Sequence, residues 1–419
     1  MSVAGPAIAS PVPAAGLAGY RRLFRQRRFT WFFLSQATGD AGYAIYTIAI
    51  PYLAFRISGS FAVAGLVLGV EFGVYALSFL AGPVIDKVAD LRTILLVGYP
   101  IQGAVALLLG YLAATGALTV PVLLVLVVAL SFPWNFTWTA TNAIPPKIVG
   151  ADELFPASAL MSATSDATQV AGYAAGAALI LLLSPAAGPI LYGIANFVAA
   201  ALAVPVLVPQ ASAARAWWTD LVEGWRAFRD GGGRPLIALS TFSAAEAFFS
   251  AGPPLLILAA ANLRGPNAAL TYGVLFTSFA VGGVVGSLVL GVANPRSRLG
   301  LALIGSTVSE GVLIVLAVLL APLGLVAAPV WFAAGAVDVV FYQSVIVFLQ
   351  ATSPPDLVGR TLTNHYLFRG TGRAAGATGI GFVLAAAPFL LVGLASGLAF
   401  LVVAGLAVAL VPTVRRLAF

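Results

Sequence analysis

Apolar stretches of about 20 residues recur through this chain of 419 residues, from residue 29 to residue 412, separated by short polar connectors. A helix of that length reaches across the roughly 30 Å hydrocarbon layer of a bilayer. Lipid offers unpaired backbone groups no hydrogen bonds, so each stretch must close its own ladder as a helix. The pattern therefore dictates an all-α integral membrane protein. Only 8% of the residues are charged, against about a quarter in a soluble domain. The segments fall at 29–55, 61–85, 93–114, 119–143, 154–183, 186–208, 235–261, 268–293, 299–321, 327–352, 361–385 and 388–412, twelve spans in all. Length and proline set the boundaries at Ser184-Pro185 and Ala387-Pro388, where two spans meet almost without a loop.

Basic residues fix the orientation. With both termini in the cytoplasm, 17 of the 21 Lys and Arg residues lie in cytoplasmic segments and only Arg56 and Arg264 lie outside. That bias is what membrane insertion imposes, and it explains the net charge of +7 without a nucleic-acid partner. Arg21, Arg22, Arg25, Arg27 and Arg28 precede the first span, where they anchor the N-terminus and suit acidic lipid headgroups. Between spans 6 and 7, Trp217, Trp218, Leu221, Trp225 and Phe228 recur at helical spacing opposite charged residues, as in a helix lying in the interface. The chain thus divides into a disordered tail with a basic cluster (1–28), an N-terminal six-helix bundle (29–208) and an amphipathic cytoplasmic linker (209–234). A C-terminal six-helix bundle (235–412) and a basic tail (413–419) complete it.

Six of the fourteen acids fall well inside spans: Asp40, Glu71, Asp166, Glu246, Glu310 and Asp338. Each lies about ten residues from a helix end, hence about 15 Å deep at 1.5 Å per residue. An unpaired charge there costs at least about 2.5–3.5 kcal/mol, so these acids imply a polar cavity or carboxyls that hold protons. Arg369 and Arg373 in span 11 are the available partners, four residues apart on one helix face. Two arginines cannot neutralise six carboxylates. The surplus points to proton exchange, with Asp40, Glu71, Asp166, Glu246, Asp338, Arg369 and Arg373 as the proton-coupling and substrate residues. Tyr43, Trp134, Asn135, Trp138, Phe248, Tyr342 and Gln343 are candidate pocket-lining residues, and Gly282, Gly283, Gly286, Gly376, Gly379 and Gly381 suit close helix packing.

The connector after span 2 reads Gly82-Pro83-Val84-Ile85-Asp86-Lys87-Val88-Ala89-Asp90-Leu91-Arg92. It resembles the G-x-x-x-D-R-x-G-R-R loop between helices 2 and 3 of the major facilitator superfamily, with Ala89 for the second glycine and Asp90 and Leu91 for basic residues. Gly39-Asp40, the stretch Asn142-Ala143-Ile144-Pro145, and Gly172-Tyr173-Ala174-Ala175-Gly176 resemble its macrolide-efflux and enterobactin-exporter-like branch, although Tyr173 stands where that branch has proline. The resemblance implies a major facilitator fold, a drug:proton antiporter, and a cytoplasmic gating role for Gly82, Asp86, Lys87 and Arg92. Gly82 is expected to let two helix backbones approach. Parallel repeats of this kind place substrate between the halves near mid-membrane. Glu310 is set apart from the site, because helix 9 is peripheral in the resembled fold.

The chain has no cysteine, which excludes disulfides and thiolate chemistry. It lacks a Walker loop, an H-E-x-x-H and a G-x-S-x-G, so neither an enzyme nor a cofactor is expected. The expected protein is a monomeric, multi-pass, plasma-membrane secondary transporter that exports an amphipathic or cationic small molecule against protons. One alternative is a ferroportin-like divalent-metal carrier with Asp40, Glu246 and His365 as ligands. Another is a non-transporting sensor or lipid-binding protein.

Overall fold

The computed structural model describes residues 17–85, 87–210, 226, 233–293, 299–352 and 358–410. Linker residues 211–225 and 227–232 and the C-terminal tail lie outside them, as does Asp86. Short α1 (Leu17–Arg25) precedes α2 (Arg27–Ser58), α3 (Phe61–Ala76), α4 (Ala81–Ile85), α5 (Arg92–Ala114), α6 (Val120–Ala143), α7 (Pro145–Ile148), α8 (Ala151–Leu182) and α9 (Ala187–Ala203). After the linker come α10 (Gly233–Ser250), α11 (Pro253–Asn262), α12 (Ala268–Ala293), α13 (Leu299–Leu320), α14 (Ala328–Thr352), α15 (Val358–Ala386) and α16 (Phe389–Leu410).

Among the described residues, seven helical segments are long and apolar enough to cross a bilayer, one of them running from Leu299 to Leu349 through both α13 and α14. Their outward faces are apolar, with Val125 and Leu288 about two-thirds exposed, as lipid requires. The longer helices outside that set are α2, α8 and α15, and they carry Asp40, Asp166, Arg369 and Arg373. Polarity inside a helix is what lowers its hydropathy, so the most polar helices are the ones expected to face an interior.

Local chemistry sets the breaks. Gly59 ends α2 at φ +67°, its N–H closing on the Phe55 carbonyl at 2.7 Å, a cap that favours glycine. Pro253 and Pro254 lack the N–H groups that would continue α10 into α11. A 3₁₀ turn, Leu77–Leu80, separates α3 from α4.

The helices pack in two groups. Within the first, α2 lies against α8 and α9, α5 against α9 and α6, and α3 against α6. Within the second, α10 lies on α15, α12 on α14, and α13 on α14 and α16. Two seams join the groups, α3 with α15 and α8 with α12. Small residues make the first seam: a Cβ on Gly65 would come within 2.7 Å of the Gly381 Cα, and one on Gly370 within 2.8 Å of the Ala76 side chain. Across the second, Tyr173 meets Phe276 edge-on at 5.3 Å. Beside it, Tyr272 of α12 reaches α2, where it stacks on Tyr52 and donates to the Ile48 carbonyl at 3.1 Å. Gly282 and Gly286 seat α12 on the Phe332 and Ala336 backbone, and Gly376 seats α15 on Phe248, the close packing their spacing suggests.

Gly82 behaves differently from expectation. Among the described residues a Cβ there would meet nothing within 4 Å, so it brings no two described backbones together. The close approach belongs to α3, one helix earlier.

Candidate functional site

A cavity of about 250 Å³ lies between the two groups of helices. Helical periodicity builds its walls. Glu71, Phe72 and Tyr75 form one stripe of α3, and Asp338, Val339 and Tyr342 form the matching stripe of α14. Tyr366, Arg369, Gly370 and Arg373 line it from α15, Tyr43 from α2, and Leu130, Ser131 and Trp134 from α6. Tyr43 stacks on Trp134 at 5.4 Å and Trp134 on Trp138 at 5.9 Å, while Tyr75 and Tyr366 meet across the seam at 5.9 Å. Of the sequence-predicted residues, Glu71, Asp338, Arg369, Arg373, Tyr43, Trp134 and Tyr342 meet here, with Trp138 directly behind.

Three predicted lining residues serve packing instead. Asn135 donates to the Val74 carbonyl at 2.8 Å, tying α6 to α3. Gln343 donates to Ser287 Oγ at 2.9 Å, tying α14 to α12. Phe248 lies edge-on to Phe249 and against Gly376. A polar or aromatic side chain in a span satisfies itself on a neighbouring helix as readily as in a cavity, and composition does not separate the two.

The charges are unevenly matched. Arg369 Nη1 donates to Glu246 Oε2 at 2.5 Å and to Ser243 Oγ at 3.3 Å, with its guanidinium 5.1 Å from the Tyr342 ring centre. Arg373 lies over the Phe72 ring at 4.2 Å and makes no ion pair among the described residues. Glu71 Oε1 accepts from the Tyr43 hydroxyl at 3.1 Å, and its Oε2 is buried without a partner. Behind Asp338, carboxylate oxygens of Glu246, Glu310 and Asp338 all lie within 4.8 Å of one another. Two carboxylates that close repel by about 3 kcal/mol at an effective dielectric constant of about 20, and among the described residues Arg369 is the one cation paired with the group. Glu310 is fully buried, and neither of its oxygens has a hydrogen-bond partner among the described residues. It belongs to this cluster, contrary to its expected peripheral place. The signal that finds it is the same depth rule that finds the other five acids, and the fold's usual layout is the weaker guide.

Asp40 and Asp166 stand apart. Asp40 opens on a separate space of about 30 Å³ with Gln36, Tyr99, Gln102, Tyr192 and Asn196. Trp134 lines both spaces and forms the wall between them. Asp166 is half-buried on α8 and lines neither. The proposed metal ligands Asp40, Glu246 and His365 do not converge. His365 is fully buried, with Nδ1 3.1 Å from Ser240 Oγ and Nε2 3.5 Å from Ser243 Oγ. Among the described residues, the carboxylate trio is the one grouping with metal-ligand spacing, and the Arg369 cation occupies one of its members.

The connector 82–92 is held by an acid that departs from the resembled pattern. Asp90 Oδ1 accepts the backbone N–H groups of Arg92 and Val208, each at 3.0 Å, and Oδ2 lies 3.3 Å from Arg92 Nε. Arg92 also donates to the Val204 carbonyl at 2.9 Å. Gln210 bonds Ile85, Val88 and Ala89, and accepts from Lys147 Nζ at 2.6 Å.

A family model described as transmembrane secretion effector matches residues 20–417. The chain belongs to this family of major facilitator superfamily transporters. Solved structures with the same fold include a mutant of a nucleoside transporter, NupG, at TM-score 0.76 and 13% identity, covering 91% of this chain and 99% of that one. A peptide transporter, POT, in complex with sulfate gives TM-score 0.70 at 12% identity, covering 94% and 96%. A bacterial homolog of the human lysosomal transporter Spinster, inward-facing and unoccupied, gives 0.67 at 14% identity, covering 93% and 96%. No curated protein matches the sequence. This major facilitator protein is thus a multi-pass secondary transporter.

Proposed function

We propose that this transporter is a proton-coupled exporter of an amphipathic, cationic small molecule, working by alternating access in the plasma membrane. The observation that carries the reading is the charge balance around the central cavity. Four buried or half-buried acids, Glu71, Glu246, Glu310 and Asp338, surround two arginines. Arg369 is committed to Glu246, which leaves Asp338 on the cavity wall without an ion pair among the described residues. A cation entering between Tyr43, Trp134 and Tyr342 would gain ring faces and a carboxylate together. A proton returns to the carboxyl cluster behind Asp338 when the cation leaves. Cation and proton then compete for the same compensating charge, which is the requirement for exchange.

In this reading the chain makes twelve crossings with both termini in the cytoplasm, arranged as two six-helix halves, 29–208 and 235–412, that rock about the cavity as a monomer. The α3–α15 and α8–α12 seams would be the surfaces that open and close. The Asp90–Arg92 connector and its tie to Val208 would hold the cytoplasmic end of the first half rigid. Purified transporter in proteoliposomes tests the proposal: efflux of a cationic dye should accelerate when the inside-to-outside pH gradient is imposed. Flux indifferent to that gradient rejects proton coupling, and flux of anions alone rejects the cationic substrate.

A further inference from the structure

Glu310 is the acid that the cavity does not use. It is fully buried on α13, does not line the central cavity, and leaves both oxygens without a hydrogen-bond partner among the described residues. Its titratable neighbours come from three helices. From α14 comes Asp338, from α10 Glu246, and from α15 Arg369, with Arg373 and the serine-bound His365 one turn to either side. The facing residues of α11 and α16 include no titratable group, and Glu310 is the only one on α13 itself.

Three carboxylate groups within 4.8 Å and one guanidinium in contact cannot all be ionised in a dry interior. The ion pair claims Glu246 and Arg369, and Asp338 faces the cavity, where water reaches it. The group that must be neutral is Glu310. We infer that Glu310 holds the transported proton, outside the substrate cavity, and that Asp338 relays substrate occupancy to it. This rests on the proton-coupled reading above and names its carrier. The balance is simple. A protonated Glu310 lies within 4.8 Å of the Asp338 carboxylate, near enough for a small side-chain movement to hand the proton over. A cation arriving beside Asp338 draws that carboxylate's charge to itself, the proton leaves through Asp338 to cavity water, and net charge in the cluster is conserved. By reciprocity the proton expels the cation with the same coupling factor, about 5–150-fold.

Two measurements on the full-length protein in lipid test it. Infrared difference spectra should show the carbonyl stretch of a protonated carboxylic acid at neutral pH, lost in Glu310→Gln and retained in Glu71→Gln. In proteoliposomes, Glu310→Gln should still exchange tetraphenylphosphonium across the membrane while losing at least about fivefold of its acceleration by a pH gradient. Asp338→Asn should lose both exchange and acceleration. A band that survives in Glu310→Gln, or gradient-driven flux that does, overturns the assignment. A band that shifts with sodium or manganese but not with pH also overturns it, in favour of a metal cation. If the wild type itself ignores the gradient, the proton-coupled function falls, and the infrared band then reports separately whether Glu310 carries a proton at all.

Discussion

Arg369 serves two neighbours at once: its Nη1 lies 2.5 Å from Glu246 Oε2, while the same side chain lines the central cavity. The cavity wall and the buried carboxyl cluster therefore share one cation. Anything that moves Arg369 toward substrate loosens Glu246, and the reverse holds too. In the proposed exchange, that relationship would add Arg369 to Asp338 as a link between substrate occupancy and the carboxyl cluster.

Removing Glu246 should be the most damaging single change in the second half. Glu246→Ala strands a guanidinium that is 6% exposed, and breaking a buried pair from one side costs about 3–5 kcal/mol. Thermal unfolding in detergent should show a clear drop in melting temperature. The paired change Glu246→Gln with Arg369→Gln should recover most of that stability, yet leave transport lost. A double variant no more stable than Glu246→Ala would mean that the pair is not the source of the loss.

Asp40 should prove dispensable for coupling. Its small pocket lies on the far side of Trp134 from the central cavity. Asp40→Asn is expected to keep more than about half of wild-type gradient-driven flux, since a side chain acting locally usually changes stability by about 1 kcal/mol. Asp338→Asn should abolish it. Equal loss in both variants would move the coupling site into the first half.

How much of this is legible in the sequence follows the physics of each residue. Helix positions are readable where the apolar run is long, because lipid forces each crossing into a helix, and seven helical segments among the described residues are long and apolar enough to cross. Depth in a span locates the six acids, and the i, i+4 spacing of Arg369 and Arg373 places them on one face. What a helix faces is not readable. Asn135 and Gln343 look like pocket residues by type, yet each bonds a neighbouring helix. Asp90 looks like a loss from the family motif, yet it holds the connector. Glu310 looks peripheral by analogy with a fold's usual layout, whereas its own depth in the span is the better guide.

Glycines at the seam and in the connector should respond in opposite ways. Gly65→Ala puts a methyl against the Gly381 backbone at 2.7 Å, and overpacking of that kind costs about 1–3 kcal/mol. It should also slow transport, because the α3–α15 seam cannot close. Gly82→Ala meets open space, so stability should stay within about 0.5 kcal/mol. Side-by-side melting curves and flux assays check the contrast, and a Gly82→Ala variant as damaged as Gly65→Ala would contradict it.

Asp90→Ala should free the 82–92 connector without unfolding the bundle. It removes two backbone hydrogen bonds and the contact with Arg92, at about 1 kcal/mol per net bond. Hydrogen exchange should quicken at residues 87–92 and 204–210 and stay unchanged in α12. Uniform protection across both segments would show that Gln210 and Lys147 hold the connector alone.

Trp134 sets the size of what fits. It is the wall shared by a cavity of about 250 Å³ and a pocket of about 30 Å³, and it stacks on both Tyr43 and Trp138. Trp134→Ala would join the two spaces, at a cost of about 3–5 kcal/mol for the lost aromatic packing. Trp134→Phe keeps a ring and part of the wall at lower cost. Inhibition of dye efflux by a series of quaternary ammonium ions of rising bulk should therefore shift toward larger members, most in Trp134→Ala and less in Trp134→Phe. The order of the two variants is the test, because general damage would weaken binding of every member alike, whereas a removed partition favours the large ones selectively.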